Sequence, residues 1–205
     1  MSRLLLYVSY SFRRTCARSV AAVDAADKVV LYRNWLGLMQ GTLSAQLEKG
    51  GKTITRRLNA DRTFTAASGA GHLTLRGRSL MLARTVGHHM YTGALTGADA
   101  QETPETILDA VVLSLIAIHD RKADANAPVK NSLHGSVYLV KPKMHGPAEV
   151  EFANDLFAAI EDMLALPRLT LKMGTVSMRW PLHSFSRPLK PCSRPISRCL
   201  IFTVL

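Results

Sequence analysis

Twice between Ser79 and Gly174 a short apolar run gives way to a longer amphipathic one, and a third short run closes the series. "SLMLARTVGHHM" reads as a strand buried for most of its length, and "ETILDAVVLSLIAIHD" as a helix with Thr103 as N-cap and Pro104 in the first turn. Ile107, Leu108, Val111, Val112, Leu115 and Ile116 form one wide apolar stripe on it. "SVYLVKPKMHG" is the next strand, Pro147 opens the helix "PAEVEFANDLFAAIEDMLAL", and "RLTLKMG" starts a further buried strand. In the second helix Val150, Phe157, Ile160 and Leu164 share one face, while Glu149, Glu151, Asp155 and Asp162 largely face away. Strand–helix–strand–helix–strand predicts an α/β fold with a parallel sheet, because parallel neighbours need a crossover long enough to hold a helix. Such sheets bind ligands at the C-terminal ends of their strands. Here those ends carry Arg84 and His88 on one strand, and Lys141, Lys143 and His145 on the next.

Upstream, Asp24 to Met39 predicts a helix with acids in its first turn and Gly41 as its stop. "KTITRRLNADRTFTAASGAGHLTLRGRS" alternates polar and apolar residues between turn signals, which predicts short antiparallel strands. No internal repeat, Gly-rich phosphate loop or nucleophile elbow is present. His88 and His89 are too close together for a metal-binding helix and read as structural.

The net charge of +11 lies at the ends of the 205 residues. Residues 1–18 hold four Arg and no acid, and residues 175–205 hold four Arg, one Lys, four Pro, five Ser and no acid. Residues 19–174 hold 17 bases and all 15 acids, a near-neutral composition ordinary for a globular segment. Cys16, Cys192 and Cys199 also fall outside that middle. An odd number without tight spacing makes neither a disulfide framework nor a zinc site, and points to a reducing compartment. Residues 1–18 loosely fit a transit peptide, although the apolar run Leu4 to Val8 is short for a secretory segment. No run approaches the roughly 18 apolar residues of a membrane span.

The blocks "SVAAVDAADKVVLYRNWLGLMQG", "GRSLMLARTVGHHM", "LIAIHD", "GSVYLVKPKMHGPAEVEFANDLFAAIEDMLALP" and "TLKMG" run collinearly from about Ser19 to Gly174. Together they resemble malate synthase in its large G-type form. The resemblance implies part of a (β/α)8 TIM barrel, an incomplete barrel with a small β-rich inserted segment at about residues 42–78. It implies an acyltransferase of the glyoxylate bypass, which joins acetyl-CoA to glyoxylate in a Claisen condensation and, with water, gives malate and CoA. It further implies a cytoplasmic, monomeric protein acting on those two small molecules, with magnesium as cofactor and with neither nucleic acid nor membrane as partner.

By the same resemblance, Arg84 in "LARTVGH" is the catalytic arginine that binds glyoxylate and stabilises the developing enolate, and Ser19 and Arg56 contact acetyl-CoA. A guanidinium suits the first task because it stays charged and offers a planar fork of donors. Against the functional reading of Arg56 stands its neighbour Arg57: charged strand faces are usually solvated. Lys141, Lys143 and His145 receive no specific role. Two departures from the family coincide with the composition breaks. "CARS" stands where the family has Cys-Glu-Asp-Ser, and "TVSMRWPLHSFSRP" follows "TLKMG" where the family continues into an acidic Asp-Glu-Glu-Arg-Arg segment. The expectation is therefore that residues 19–174 are a catalytic-barrel fragment, and that 1–18 and 175–205 are poorly ordered segments read out of frame or genuinely diverged. The magnesium carboxylates and the catalytic Asp base have no counterpart in the sequence, so inactivity of these residues alone is expected. The rival reading is a non-catalytic basic protein that binds nucleic acid or an anionic surface through its tails. A weaker third is a regulatory partner of the full-length enzyme.

Overall fold

The computed structural model describes residues 16–18, 22, 24–67, 69, 71–123, 130–176 and 199–202. In chain order the elements are β1 (Cys16–Arg18), α1 (Ala25–Gln40), β2 (Ser44–Lys49), β3 (Lys52–Arg57), β4 (Arg62–Thr65), β5 (His72–Leu75), β6 (Leu82–Arg84), β7 (Tyr91–Thr96), β8 (Glu102–Pro104), α2 (Glu105–Lys122), β9 (Val137–Pro142), α3 (Pro147–Met163), β10 (Leu171–Val176) and β11 (Cys199–Phe202). A five-stranded sheet has the order β1-β6-β9-β10-β11, every pair parallel. The described residues form an open sheet and no closed barrel. Its two edge strands, β1 and β11, come from the basic end segments. Most of the rest of those segments, including the expectation that they lack order, lies outside the described residues.

One core explains why these elements form. Trp35, Leu38 and Met39 of α1, Leu113 and Ala117 of α2, and Phe157 and Ile160 of α3 meet Ala83, Val137, Leu139, Leu171 and Met173 of the strands in a single buried cluster. Strand side chains alternate between faces. All three helices thus cover the same side of the sheet, and Leu82, Arg84, Tyr138, Val140 and Lys172 belong to the other.

Helix α1 forms as its sequence predicts. Asp24 accepts a hydrogen bond from the Asp27 backbone N–H at 2.8 Å, and Gly41, at φ 75°, closes the C-terminus in the left-handed conformation a side chain would strain. Pro147 stands in the first turn of α3. Residues 44–75 form two antiparallel hairpins, β2–β3 and β4–β5, as the alternating pattern predicts.

Three local expectations are corrected. The strand in "SLMLARTVGHHM" is only Leu82–Arg84; beyond it, Thr85 still donates its N–H to the Val140 carbonyl, at 3.1 Å, before the chain turns away. Thr103 is not the cap of α2. It pairs with Thr92 in the β7–β8 hairpin, so the cap position falls to Pro104, which has no side-chain oxygen to offer. The stripe of α2 is rotated as well. The buried positions are Glu105, Thr106, Asp109, Ala110, Leu113, Ser114, Ala117 and Asp120, while Leu115 is 51% exposed. Polar contacts set this rotation. Asp109, fully buried, accepts from Lys28 Nζ at 3.0 Å and from the Tyr32 hydroxyl at 2.8 Å. Lys28 also pairs with Glu105. At the other end of the helix Asp120 accepts from the backbone N–H groups of Asn131 and Ser132. These partners cannot be met from the apolar flank, and an unpaired buried carboxylate costs more than a half-exposed leucine.

Candidate active site

Arg84 is the last residue of β6, at the C-terminal end of the sheet and on the face turned away from the helices. The register sets it in a row that runs Arg18, Arg84, Val140, Gly174, Leu200 across the five strands. The segment that carries it is held tightly. Thr85 gives both its N–H and its hydroxyl to the Val140 carbonyl. Two residues on, the Val86 carbonyl accepts from Lys141 Nζ at 2.6 Å. The Arg84 side chain itself is only partly buried, but its Nε is buried with no hydrogen-bond partner among the described residues. Buried donors are nearly always satisfied, so this Nε is a donor open to an acceptor such as an anion.

Lys141 does not line that face. It shares the phase of Val137 and Leu139, is buried on the helix side, and also donates to the Thr106 hydroxyl in the first turn of α2. It ties β9, the exit of β6 and α2 together. Burial pushes its ammonium down to about 8, against the opposing pull of Asp109 and Glu149. Lys143 is exposed, and His145 is exposed beside Glu149, whose carboxylate accepts the His145 backbone N–H. His88 packs edge-on against Phe152, with ring centroids 5.1 Å apart. Burial, then the charge of Lys141, holds its imidazole below the usual range. Arg56 is exposed on β3, paired in register with Ala45, so the described structure does not bring it to Arg84. Ser19 lies outside the described residues.

Lys172 was not singled out by sequence reasoning. It is on β10, in register with Tyr138 and two residues before Gly174. Its neighbours Leu171 and Met173 are fully buried among the helices, so Lys172 points to the same face as Arg84. The signal was available in "LTLKMG", where the lysine interrupts an apolar run at alternate phase.

The residues around Arg84 do not fit magnesium. A hard dication needs several oxygen ligands, and the described residues contain no group of three His, Cys, Asp or Glu able to hold a metal. The buried carboxylates are on the helix side and engaged there. Asp109 and Asp120 hold the partners above, and Glu161 accepts the backbone N–H of Leu171 at 2.8 Å.

The family described as "Malate synthase, TIM barrel domain" matches residues 80–181, and the segment contains Arg84, Lys141 and Lys172. The relative from Halalkalibacterium halodurans, named malate synthase G, is 51% identical over 187 residues, 91% of this chain and 25% of its own length. The chain belongs to the malate synthase family. Proteins of the same name from Corynebacterium efficiens and Corynebacterium glutamicum are 51% and 48% identical over 158 residues, 77% of this chain and 21% of each relative. The chain thus spans a quarter or less of the length of these curated relatives. The match to residue 181, and the 187-residue span of the longest alignment, carry the malate synthase likeness past at least one of the composition breaks.

Proposed function

We propose that this chain supplies one wall of a malate synthase active site, part of a (β/α)8 barrel, with Arg84 as its glyoxylate-binding and enolate-stabilising residue. The observation that carries the reading is Arg84 itself: a fixed arginine at a strand's C-terminal end, on the helix-free face, with a buried and unsatisfied Nε. In the proposed reaction an acetyl-CoA enolate attacks the glyoxylate aldehyde, and hydrolysis of the thioester gives malate and CoA. The guanidinium binds the glyoxylate carboxylate and offsets negative charge as the enolate forms. Arg56 and Ser19 are assigned to acetyl-CoA by the family resemblance alone. Among the described residues this face provides the arginine, and neither a carboxylate set for magnesium nor a base for the methyl proton. We therefore assign them binding without turnover.

Calorimetric titration of the full chain with glyoxylate tests the assignment. Binding should weaken at least tenfold in Arg84→Ala, because a charged hydrogen bond contributes about 1.5–3 kcal/mol. Equal binding by the variant and the original chain would refute it.

A further inference from the structure

We propose that Lys172 is a second anion-binding residue of the Arg84 site, and that the two cations together hold a short dicarboxylate, one carboxylate each. The proposal rests on the reading of Arg84 as a carboxylate anchor and extends it to a residue and a ligand class that reading does not include.

Both side chains belong to the sheet face turned away from the helices, as the burial of Ala83, Leu171 and Met173 on the other side requires. Arg84 and Gly174 share a row, with Val140 between them, and Lys172 precedes Gly174 by two residues on the same face of β10. Two strand spacings separate β6 from β10, about 10 Å, and two residues along a strand add roughly 7 Å in the other direction. Arginine and lysine are both long enough to close most of that gap, which leaves room for a small molecule with a carboxylate at each end. Gly174 puts no side chain between Lys172 and Arg84's row. On the intervening strand the same face carries Val140, which has nothing polar to compete for an anion, and Tyr138, in register with Lys172, whose phenol can donate to one.

Charge balance gives the second argument. Lys172 is partly buried, yet among the described residues it makes no ion pair or side-chain hydrogen bond. The nearest buried carboxylates face the helices and are engaged there. A partly buried lysine lays its stem along the sheet and keeps its ammonium accessible. Two cations on one face with no counter-charge among the described residues, one of them with an unsatisfied Nε, suit a dianion. Malate, the proposed product, has that form: glyoxylate brings one carboxylate, and thioester hydrolysis creates the second. Lys172 would then recognise the product and leave the monoanionic substrate to Arg84.

The experiment compares L-malate with glyoxylate as probes of the full chain by calorimetry at low salt. Lys172→Met should weaken malate binding about tenfold, the effect of one charge-assisted hydrogen bond, and change glyoxylate binding less than about twofold. Lys172→Arg, which keeps the charge, should retain malate. Far-UV circular dichroism confirms that each variant is folded, and Lys172→Gln replaces Lys172→Met if the latter is not. Loss of both ligands to the same degree, loss of neither, or failure of Lys172→Arg to retain malate would overturn the pairing. The Arg84 reading would survive any of these if Arg84→Ala still weakens glyoxylate. If the unaltered chain binds neither ligand, both readings fall.

Discussion

Arg84 and Lys141 sit at the C-terminal ends of adjacent parallel strands, yet they do opposite work because of strand phase. Arg84 alternates with the buried Ala83 and so belongs to the helix-free face; Lys141 shares the phase of Leu139 and is sunk among the helices. The sequence alone allowed both to line a site, since a strand's mouth is legible from the run of apolar residues but its phase against the helices is not. Lys172 escaped notice for the same reason. The buried Lys141 gives a pH-dependent test. Its ammonium is pushed down to about 8 in the fold against an ordinary 10.5, so between those values the unfolded chain binds more protons than the folded one. Stability therefore rises with pH across that window. Urea unfolding at pH 8 and pH 10 should show a gain in the original chain that Lys141→Met lacks. Lys141→Met should also be less stable at pH 8, by about 1–3 kcal/mol, because the Val86 carbonyl loses its partner. A variant with the same pH dependence as the original would show that Lys141 is not the titrating group.

At the scale of elements, the ends of α1 and the antiparallel hairpins were legible, while the cap and the rotation of α2 were not. Asp24 and Gly41 mark the limits of α1 because capping is local chemistry, written in residues that touch the helix end itself. The rotation of α2 depends on Lys28, Tyr32, Asn131 and Ser132, which are distant in sequence, so a count of apolar periodicity misplaces it. Thr103 was misread as a cap for a related reason: its hairpin partner Thr92 comes from another segment. The α1–α2 seam combines Trp35, whose indole N–H donates to the Leu113 carbonyl at 3.1 Å, with the Asp109 cluster. Tyr32's hydroxyl is driven well above its ordinary range by burial and then by the charge of Asp109, so it stays a donor throughout. Asp109→Ala removes the acceptor of both Lys28 and Tyr32, and should cost about 3 kcal/mol in chemical denaturation, the cost of breaking a buried charged pair. A change below about 1 kcal/mol would mean the seam is held by apolar packing alone.

Over the whole molecule, the parallel α/β class was legible from the alternation in residues 79–174, whereas the edges of the sheet were not. Strand β1, "CAR", is too short to give a strand pattern, whereas β11 lies in the apolar run "CLIFTVL", which does give one; which strand each pairs with is set by backbone groups, to which composition is blind. The register adds a fact to the question of the basic ends. Arg18 occupies the register position next to Arg84, where the family resemblance calls for Asp. The extended match to malate synthase limits how far any replacement of sequence at the ends runs. The gene's nucleotide sequence decides the matter. We expect a second frame before codon 19 to encode Cys-Glu-Asp and one after codon 174 to encode an acidic Asp-Glu-Glu-Arg-Arg run. If no frame does so at either end, the ends are native. The claim that these residues bind but do not turn over is tested most directly by CoA release from acetyl-CoA with glyoxylate and magnesium. A missing general base alone removes about 10²–10⁴-fold in rate, and the loss of a Lewis-acid metal adds several kcal/mol to the barrier. The purified chain should release no CoA above background; magnesium-dependent release that disappears in Arg84→Ala would contradict the account.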